Sequence, residues 1–462
     1  MTYRTRLLAL GLFLPSLAFA QQSTSLAPNA ALVPALSAAS SGLSLQDAYN
    51  SALAKNPDYL QWLNNEGPAS LAVKSSYASF LPGASASAGI NYTGSGSSNF
   101  GGTNVIKTSP SRGSSYSLDL NWSLNGRILA TPGQSRANLR ATQEQIESAK
   151  VQLRSAVLVA YLNVLQTNAR IDVVNQQVGR NQVFLDLAKA RYQVGQATML
   201  DTRQAEVTLG QSQVDLLVAK QQNADARLEL YRLMGVSAPA GFETVALTDS
   251  FPVEPPAYSL DSLLATAATV NPNLRAAEAA SDASKFNLTA VKGEYFPSLR
   301  AGASWAGYTQ EYTDTTAAAG VDTGNYPWGF TDQPFTVFAG ISLPIFDGLN
   351  RETRVSQAKA QRDDALEQVR AEALLVSTQV TSRYLAVGTT FQGIAVAEAN
   401  RVAASDQLRL AQDRYRLGQG TALELSDSEG AVQRAEGTYV DAVYGFHKAV
   451  AALEEAVGQP LR

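Results

Sequence analysis

The chain has 462 residues, no cysteine, one histidine, and a formal net charge of −4 from 36 basic and 40 acidic side chains. Without cysteine there are no disulfides, thiolate nucleophiles or thiolate metal sites, and without a basic excess there is no footprint for a nucleic-acid partner. Charged residues are only 16% of the chain, against roughly 25% in ordinary soluble domains, and uncharged polar residues fill the gap, as suits a protein with a water-filled interior.

Residues 1–20 read as a secretory signal. Arg4 and Arg6 open it, Leu7 to Leu17 is apolar, and Ala18-Phe19-Ala20 is a small-x-small cleavage site before Gln21. Its removal would leave a net charge of −6 (34 basic against 40 acidic). No cysteine follows the signal, so the expected product is not lipidated. No other stretch approaches about eighteen consecutive apolar residues, which excludes a helical inner-membrane protein. Residues 21–43 are expected to form an extended N-terminal segment.

The remainder is written twice. Ser44-Leu45-Gln46 and Asn56-Pro57 recur 215 positions later as Ser259-Leu260-Asp261 and Asn271-Pro272. Arg191-Tyr192-x-x-Gly195-Gln196-x-Thr198 recurs 223 positions later as Arg414-Tyr415-x-x-Gly418-Gln419-x-Thr421. The chain divides into repeat one (44–235), a Pro-rich linker (236–258), repeat two (259–458) and a short tail (459–462). Tyr161 and Tyr384, Gly195 and Gly418, and Gly235 and Gly458 all keep the 223-residue offset, and a constant offset over so many residues marks a duplicated structural unit.

Each repeat opens with a helical stretch, to Phe80 in the first and near Phe296 in the second. Gly67-Pro68 predicts a kink peculiar to repeat one, since Asp282-Ala283 stands at the matching place. Two strands per repeat follow, at 84–93 and 115–124 and at 299–308 and 335–345, each alternating apolar and polar residues. Phe338 is the one bulky residue on a polar face. Each strand is about ten residues, the length of a tilted strand crossing a bilayer. The strands of each pair are joined by long Gly-, Ser-, Thr- and Asp-rich loops, 94–114 and 309–333, like the external loops of barrels.

Long helices come next, at 127–192 and 350–415. Val157, Val164, Ile171, Val178 and Leu185 are seven apart, and their counterparts are Val380, Val387, Ile394, Arg401 and Leu408. A sustained seven-residue repeat predicts coiled-coil packing. A helix of roughly 65 residues is about 100 Å long. The shorter helices on either side, including 199–234 and 422–457, together match that length and are expected to stack beside it. Pro239, Pro252, Pro255 and Pro256 keep the linker out of a helix, leaving it to form a belt around the middle.

Four strands cannot close a useful barrel; about eight are needed, and a bilayer does not tolerate open sheet edges. The expected fold is therefore a mixed α/β membrane protein: a trimeric barrel of about twelve strands, four per protomer, continued by a long α-helical coiled-coil cylinder.

With these features the chain resembles the TolC-type outer-membrane efflux family over nearly all of its mature length. The resemblance is carried by the duplicated starts, the Phe-Leu-Pro and Tyr-Phe-Pro motifs at Pro82 and Pro297, Leu343-Pro344-Ile345-Phe346-Asp347-Gly348, and above all the paired Arg-Tyr-x-x-Gly-x-x-Thr turns. It implies a homotrimeric channel-tunnel in the outer membrane that reaches into the periplasm of a Gram-negative bacterium. It also implies a periplasmic adaptor and an inner-membrane pump of RND, ABC or MFS type, as in multidrug efflux or type I secretion.

By this resemblance Arg191, Tyr192, Gly195, Thr198, Asp201, Arg414, Tyr415, Gly418 and Thr421 belong to the periplasmic tip and adaptor docking. Glu424 and Asp427 match acidic residues that ring the closed entrance and attract cations; as acids at a helix N-terminus they equally suit the helix dipole. The family type has an arginine between the Gly and Thr of the second turn. This chain has Gly420, which leaves the lock on the closed state open, with Arg414 or Arg416 as substitutes. Trp122 and Trp305 are candidates for the lipid-interface girdle.

Two other classes compete. An enzyme would need a constellation that one histidine, His447, does not supply, and His447 reads as a structural residue on an apolar helix. No cofactor is expected. A trimeric surface adhesin also combines strands with coiled coils, but would carry its strands in one set at the C-terminus, whereas here they occur in both halves. Cargo is not encoded in generic Ser, Thr, Asn and Gln lining residues.

Overall fold

The computed structural model describes residues 42–100, 104–312, 326–330 and 335–461. The signal segment, all but the end of the N-terminal segment, most of the second loop and Arg462 lie outside the described residues. Helices α1 (Leu45–Lys55), α2 (Pro57–Leu63) and α3 (Glu66–Ala78) lead into strand β1 (Gly83–Thr93). A short hairpin, β2 (Gly96–Phe100) and β3 (Asn104–Thr108), precedes β4 (Ser111–Leu124). The 68-residue α4 (Gly126–Gln193) and α5 (Met199–Leu233) complete repeat one. Repeat two has α6 (Leu260–Val270), α7 (Pro272–Lys292), β5 (Ser298–Tyr312), β6 (Thr336–Ser342), the 67-residue α8 (Asn350–Arg416) and α9 (Ala422–Val457).

The expected opening helix of each repeat is divided, because proline at helix position N1 starts a new helix and its preceding asparagine caps it. Asn56 accepts from the Tyr59 amide at 3.0 Å, and Asn271 from those of Asn273 and Leu274 at 3.0 and 3.2 Å. Each also donates its Nδ2 to a carbonyl at the end of its repeat's last helix, Leu233 or Ala456, at 2.9 Å. The break peculiar to repeat one falls at Asn64–Asn65, between α2 and α3, and Gly67 and Pro68 lie in the first turn of α3. There proline costs no hydrogen bond. Repeat two runs on as the single α7.

The four long strands form one antiparallel sheet in the order β1-β4-β5-β6, and β2–β3 a separate hairpin inside the first loop. Register carries the alternation across the sheet. Ala86, Leu118 and Trp305 share one row, and Ala84, Leu120, Ala303 and Val337 the next, so one face is apolar. The other carries Ser87, Ser117, Asp119 and Ser304. Among the described residues the sheet's two edges, β1 and β6, have no partner within the protomer.

The heptad residues mark the helical seams. Val157, Val164, Leu185, Val380, Val387 and Leu408 are buried. Arg401 interrupts the second seam by pairing with Glu398 at 2.8 Å and lying over the Tyr439 ring. Two matching cores result, one where α1, α4 and α5 meet around Tyr161 and Met234, the other where α6, α8 and α9 meet around Val380 and Leu453. A third core at the far helix ends draws on both repeats, through Phe184, Leu185, Leu209, Leu408, Tyr415 and Leu425.

The linker packs on the first core. Leu43 bridges Leu247 in parallel, and the buried Arg227 donates to the Val245 carbonyl at 2.6 Å. His447 is buried between Phe251 and Phe446.

Candidate functional site

The two turns at the far ends of the long helices are built alike. In each, a glycine with positive φ, Gly195 at 75° and Gly418 at 76°, ends the helix. The next amide reaches back to the third-last helical carbonyl: Gln196 to Arg191 and Gln419 to Arg414, both at 2.8 Å. The glycine amides bond to Tyr192 and Tyr415 at 3.1 Å. This double bond is a Schellman motif, and it needs a residue that enters the left-handed region without steric cost.

Threonine then starts the return helix. The Thr198 hydroxyl accepts from the Asp201 amide at 3.2 Å, while the Asp201 carboxylate accepts from the Thr198 amide at 2.8 Å. Thr421 and Glu424 repeat the arrangement at 3.1 and 3.4 Å. Both are capping boxes. Asp201 is therefore engaged with its own helix, and Glu424 with the start of α9. Asp427 lies one turn further along α9, exposed, and its side chain forms no hydrogen bond or ion pair among the described residues.

Around this shared frame the side chains differ. Arg191 donates to the Tyr415 carbonyl and its guanidinium lies 4.6 Å over the Tyr415 ring. The tie crosses from the first turn to the second. Tyr415 is buried at 4% exposure and meets Phe184 edge-on at 5.6 Å, whereas Tyr192 is 42% exposed. Burial pushes the Tyr415 phenol above its usual pKa, against the opposing charge of Arg191. Arg414 and Arg416 form no ion pair among the described residues. Within the protomer it is Arg191 that joins the turns.

About four turns back from the tip, α4 is also joined to α9. Arg180 pairs with Glu429 at 3.1 Å and Glu436 at 3.3 Å, and Gln412 donates to Glu429 at 3.4 Å. This cluster was not legible in the sequence, because it depends on which face of α9 meets α4.

In the sheet, the indole N–H of Trp122 donates to the Phe80 carbonyl at 2.9 Å, at the end nearest the helices. Trp305 is four residues further along the sheet, opposite Leu118, and meets Tyr116 edge-on at 5.6 Å. Beyond it the apolar face ends in the ion pair of Arg112 and Glu311 at 2.8 Å, with Arg112 over the Tyr326 ring. Among the described residues no cluster of side chains could hold a metal ion, and no helix is long and apolar enough to cross a membrane.

These features meet in one family. Residues 48–236 and 263–459, the bulk of both repeats, match the family model described as outer membrane efflux protein. The chain belongs to that family. It is 22% identical over 340 residues to the outer membrane efflux protein BepC of Brucella suis biovar 1 (strain 1330), covering 71% of this chain and 69% of that one. It is 23% identical over 372 residues to the pyoverdine export outer membrane protein OpmQ of Pseudomonas putida KT2440, covering 77% and 74%. Its fold is that of the solved outer-membrane channel OprN, with a TM-score of 0.72, 19% identity, and 90% and 89% coverage.

The channel is thus an outer-membrane efflux protein with the TolC-type fold, a helical tunnel joined to a barrel domain. Such proteins serve tripartite systems with an adaptor and a pump. The adhesin reading is set aside, since the family match runs through both repeats.

Proposed function

We propose that three copies of the chain form a passive conduit that receives cargo from an inner-membrane pump and adaptor and releases it outside the cell. The observation that carries this reading is the four-stranded sheet with one apolar face and two unpaired edges. A bilayer requires those edges to be paired, and β1 of one copy beside β6 of the next would close about twelve strands. Exposed Leu200, Val207 and Val214, seven apart on α5, supply an unpartnered seam for a neighbouring helix in the same assembly. Native mass spectrometry in detergent tests it: the expected species has three chains, and a stable monomer overturns the architecture.

Four features extend the reading. The two capped turns dock the adaptor, whose pump is of RND, ABC or MFS type. Glu424 and Asp427 ring the entrance, with Asp427 the freer charge because Glu424 also caps α9. Three copies place about six carboxylates near one axis, so multivalent cations should block the pore from the periplasmic side. Replacement of both by Ala should abolish block in planar bilayers, and block equal to the parent's would move the gate elsewhere. Residues 1–20 direct export and are cleaved after Ala20, without lipidation.

The aromatic girdle is shared differently from the sequence expectation. Trp122 and Trp305 are only four residues apart in register, about 13 Å along a strand, roughly half the ~25 Å apolar band of a barrel. We assign Trp122 to the lower boundary, and Tyr92, Tyr326 and the exposed Trp328 to the upper one. Trp305 then sits within the band.

A further inference from the structure

One aromatic side chain is out of place on the polar face of the sheet. That face carries Ser, Asn, Thr and Gly through most of its length, with the exposed Arg300 in the row between Gly302 and the helices and tyrosines toward the end of β5 remote from the helices. Phe338, on edge strand β6, is its only large wholly apolar side chain among the described residues. Phe338 pairs with Gly302 in register. A Cβ added at Gly302 would lie 2.5 Å from the Phe338 ring tip and 2.8 Å from the Leu120 carbonyl. The ring therefore lies over Gly302, across β5, instead of standing upright. Glycine is what permits that approach. Phe338 keeps 47% of its surface exposed.

The neighbouring polar row holds a fixed charge. Asp119 stands opposite Ser304, whose row adjoins that of Gly302 and Phe338. One carboxylate oxygen of Asp119 accepts from the Ser117 hydroxyl and the other from that of Ser304, each at 2.7 Å. These bonds orient the carboxylate without neutralising it, and no Lys or Arg forms an ion pair with it among the described residues. An anion without an ion-pair partner among the described residues thus adjoins one side of an exposed aromatic ring, and Arg300 stands in the row on the other side.

We propose that Phe338 and Asp119 form a selectivity site for lipophilic organic cations on the lumen side of the β-domain. The inference rests on the reading of the sheet as one part of a barrel with its polar face inward. A cation carrying apolar bulk gains from both groups, since the ring attracts positive charge and buries hydrocarbon while the carboxylate adds Coulombic attraction. A small hydrated cation gains only the second, and an anion is repelled. In a wide wet pore such a site is weak, as conduction requires, since a solute has to leave as readily as it enters.

Planar-bilayer recording of the full channel tests the site, with tetraphenylphosphonium and tetraethylammonium as probes. The parent should be blocked by tetraphenylphosphonium at lower concentration than by tetraethylammonium. Phe338→Leu, which keeps the bulk and removes the ring, should weaken tetraphenylphosphonium block about three- to tenfold and tetraethylammonium block by less. Asp119→Asn should weaken block by both. A parent without the preference, or a Phe338→Leu channel blocked like the parent, overturns the site and leaves the channel standing.

The cysteine-free chain allows a separate check of the barrel itself. A water-soluble, membrane-impermeant thiol reagent should lower the conductance of Phe338→Cys and spare Val337→Cys, one residue along on the opposite face. The reverse pattern, or a parent that does not conduct, overturns the barrel reading together with the site.

Discussion

The two repeats share one backbone plan, yet matched residues on it do different work. Tyr161 and Tyr384 are counterparts 223 positions apart. The Tyr161 hydroxyl lies 2.9 Å from both the Leu43 carbonyl and the Asp249 carboxylate, and so clamps the linker to the first core. Tyr384 packs against the second core and makes no such clamp among the described residues. The Arg191 side chain binds the opposite turn, while that of Arg414 forms no hydrogen bond or ion pair among the described residues. The joints behave otherwise: Asn56 and Asn271 make the same two kinds of bond in both halves. Joints answer to the backbone of their own repeat, which duplication copies. Faces answer to neighbours, and the two halves have different neighbours.

The largest effects should come from the joints, and they should be equal. Asn56 and Asn271 are buried and each both caps a helix and bonds a carbonyl at the end of another. Asn56→Ala and Asn271→Ala should each cost about 2–3 kcal/mol, the sum of a lost cap and a stranded buried carbonyl. Unfolding of the detergent-solubilised variants measures this. A large cost at one site and none at the other would end the claim that the joints are equivalent.

The tip should show the opposite pattern. Arg191→Ala removes a charged hydrogen bond to the Tyr415 carbonyl and a cation held over its ring, at a cost of about 1–2 kcal/mol. The loss is local, so hydrogen exchange at the turn between α8 and α9 should quicken roughly tenfold. Arg414→Ala should leave exchange at the turn between α4 and α5 unchanged. Equal responses would show that neither arginine joins the turns.

Tyr161→Phe comes next, at about 1 kcal/mol, against no change for Tyr384→Phe. Burial is the main cause that raises the Tyr161 phenol to about 12. A raised folded pKa gives stability that is fully present below the ordinary value near 10 and lost as pH rises through about 12. The parent should therefore weaken on the alkaline side, and Tyr161→Phe should lack that part of the decline.

What the sequence showed and what it hid divides along the same line. The repeats, the heptad seams at Val157 and Val380, the alternation in β1 and β4, and the glycine turns were legible because each is a local pattern with a period or a special backbone demand. The hairpin β2–β3 was not, since Gly96–Phe100 and Asn104–Thr108 are short and carry no clear alternation. The division of the opening helices was written in Asn-Pro but was masked by the long apolar periodicity around it. The tie from Arg191 to Tyr415, the Arg180 cluster and the Gly302–Phe338 pairing all depend on which residues meet across elements far apart in the chain. No single-chain spacing encodes that.

The smallest expected effect concerns Glu429. It is 2% exposed, and burial raises its pKa despite the attraction of Arg180 and the hydrogen bond from Gln412. A buried carboxylate with a raised pKa favours its protonated form in the fold. Its contribution to stability is therefore full below the ordinary carboxylate range and is lost as pH rises through the higher folded value. Glu429→Gln keeps the shape, can still accept from Gln412, and leaves Arg180 its second partner, Glu436. The net change near neutral pH should be under about 1 kcal/mol, since replacing a buried charge by a neutral isostere removes its desolvation cost along with its attraction. The informative quantity is the slope. Between the ordinary carboxylate range and neutrality, the parent should lose stability from this group as pH rises, and the variant should be flatter. Its counterpart Glu206 sits in an exposed pair with Arg203 at 2.6 Å, and Ala403 stands where Arg180 would be, so Glu206→Gln should leave the profile as it is. A parent and a Glu429→Gln variant with the same slope would mean that Arg180 compensates the buried charge fully, and that the two faces differ in contacts but not in electrostatics.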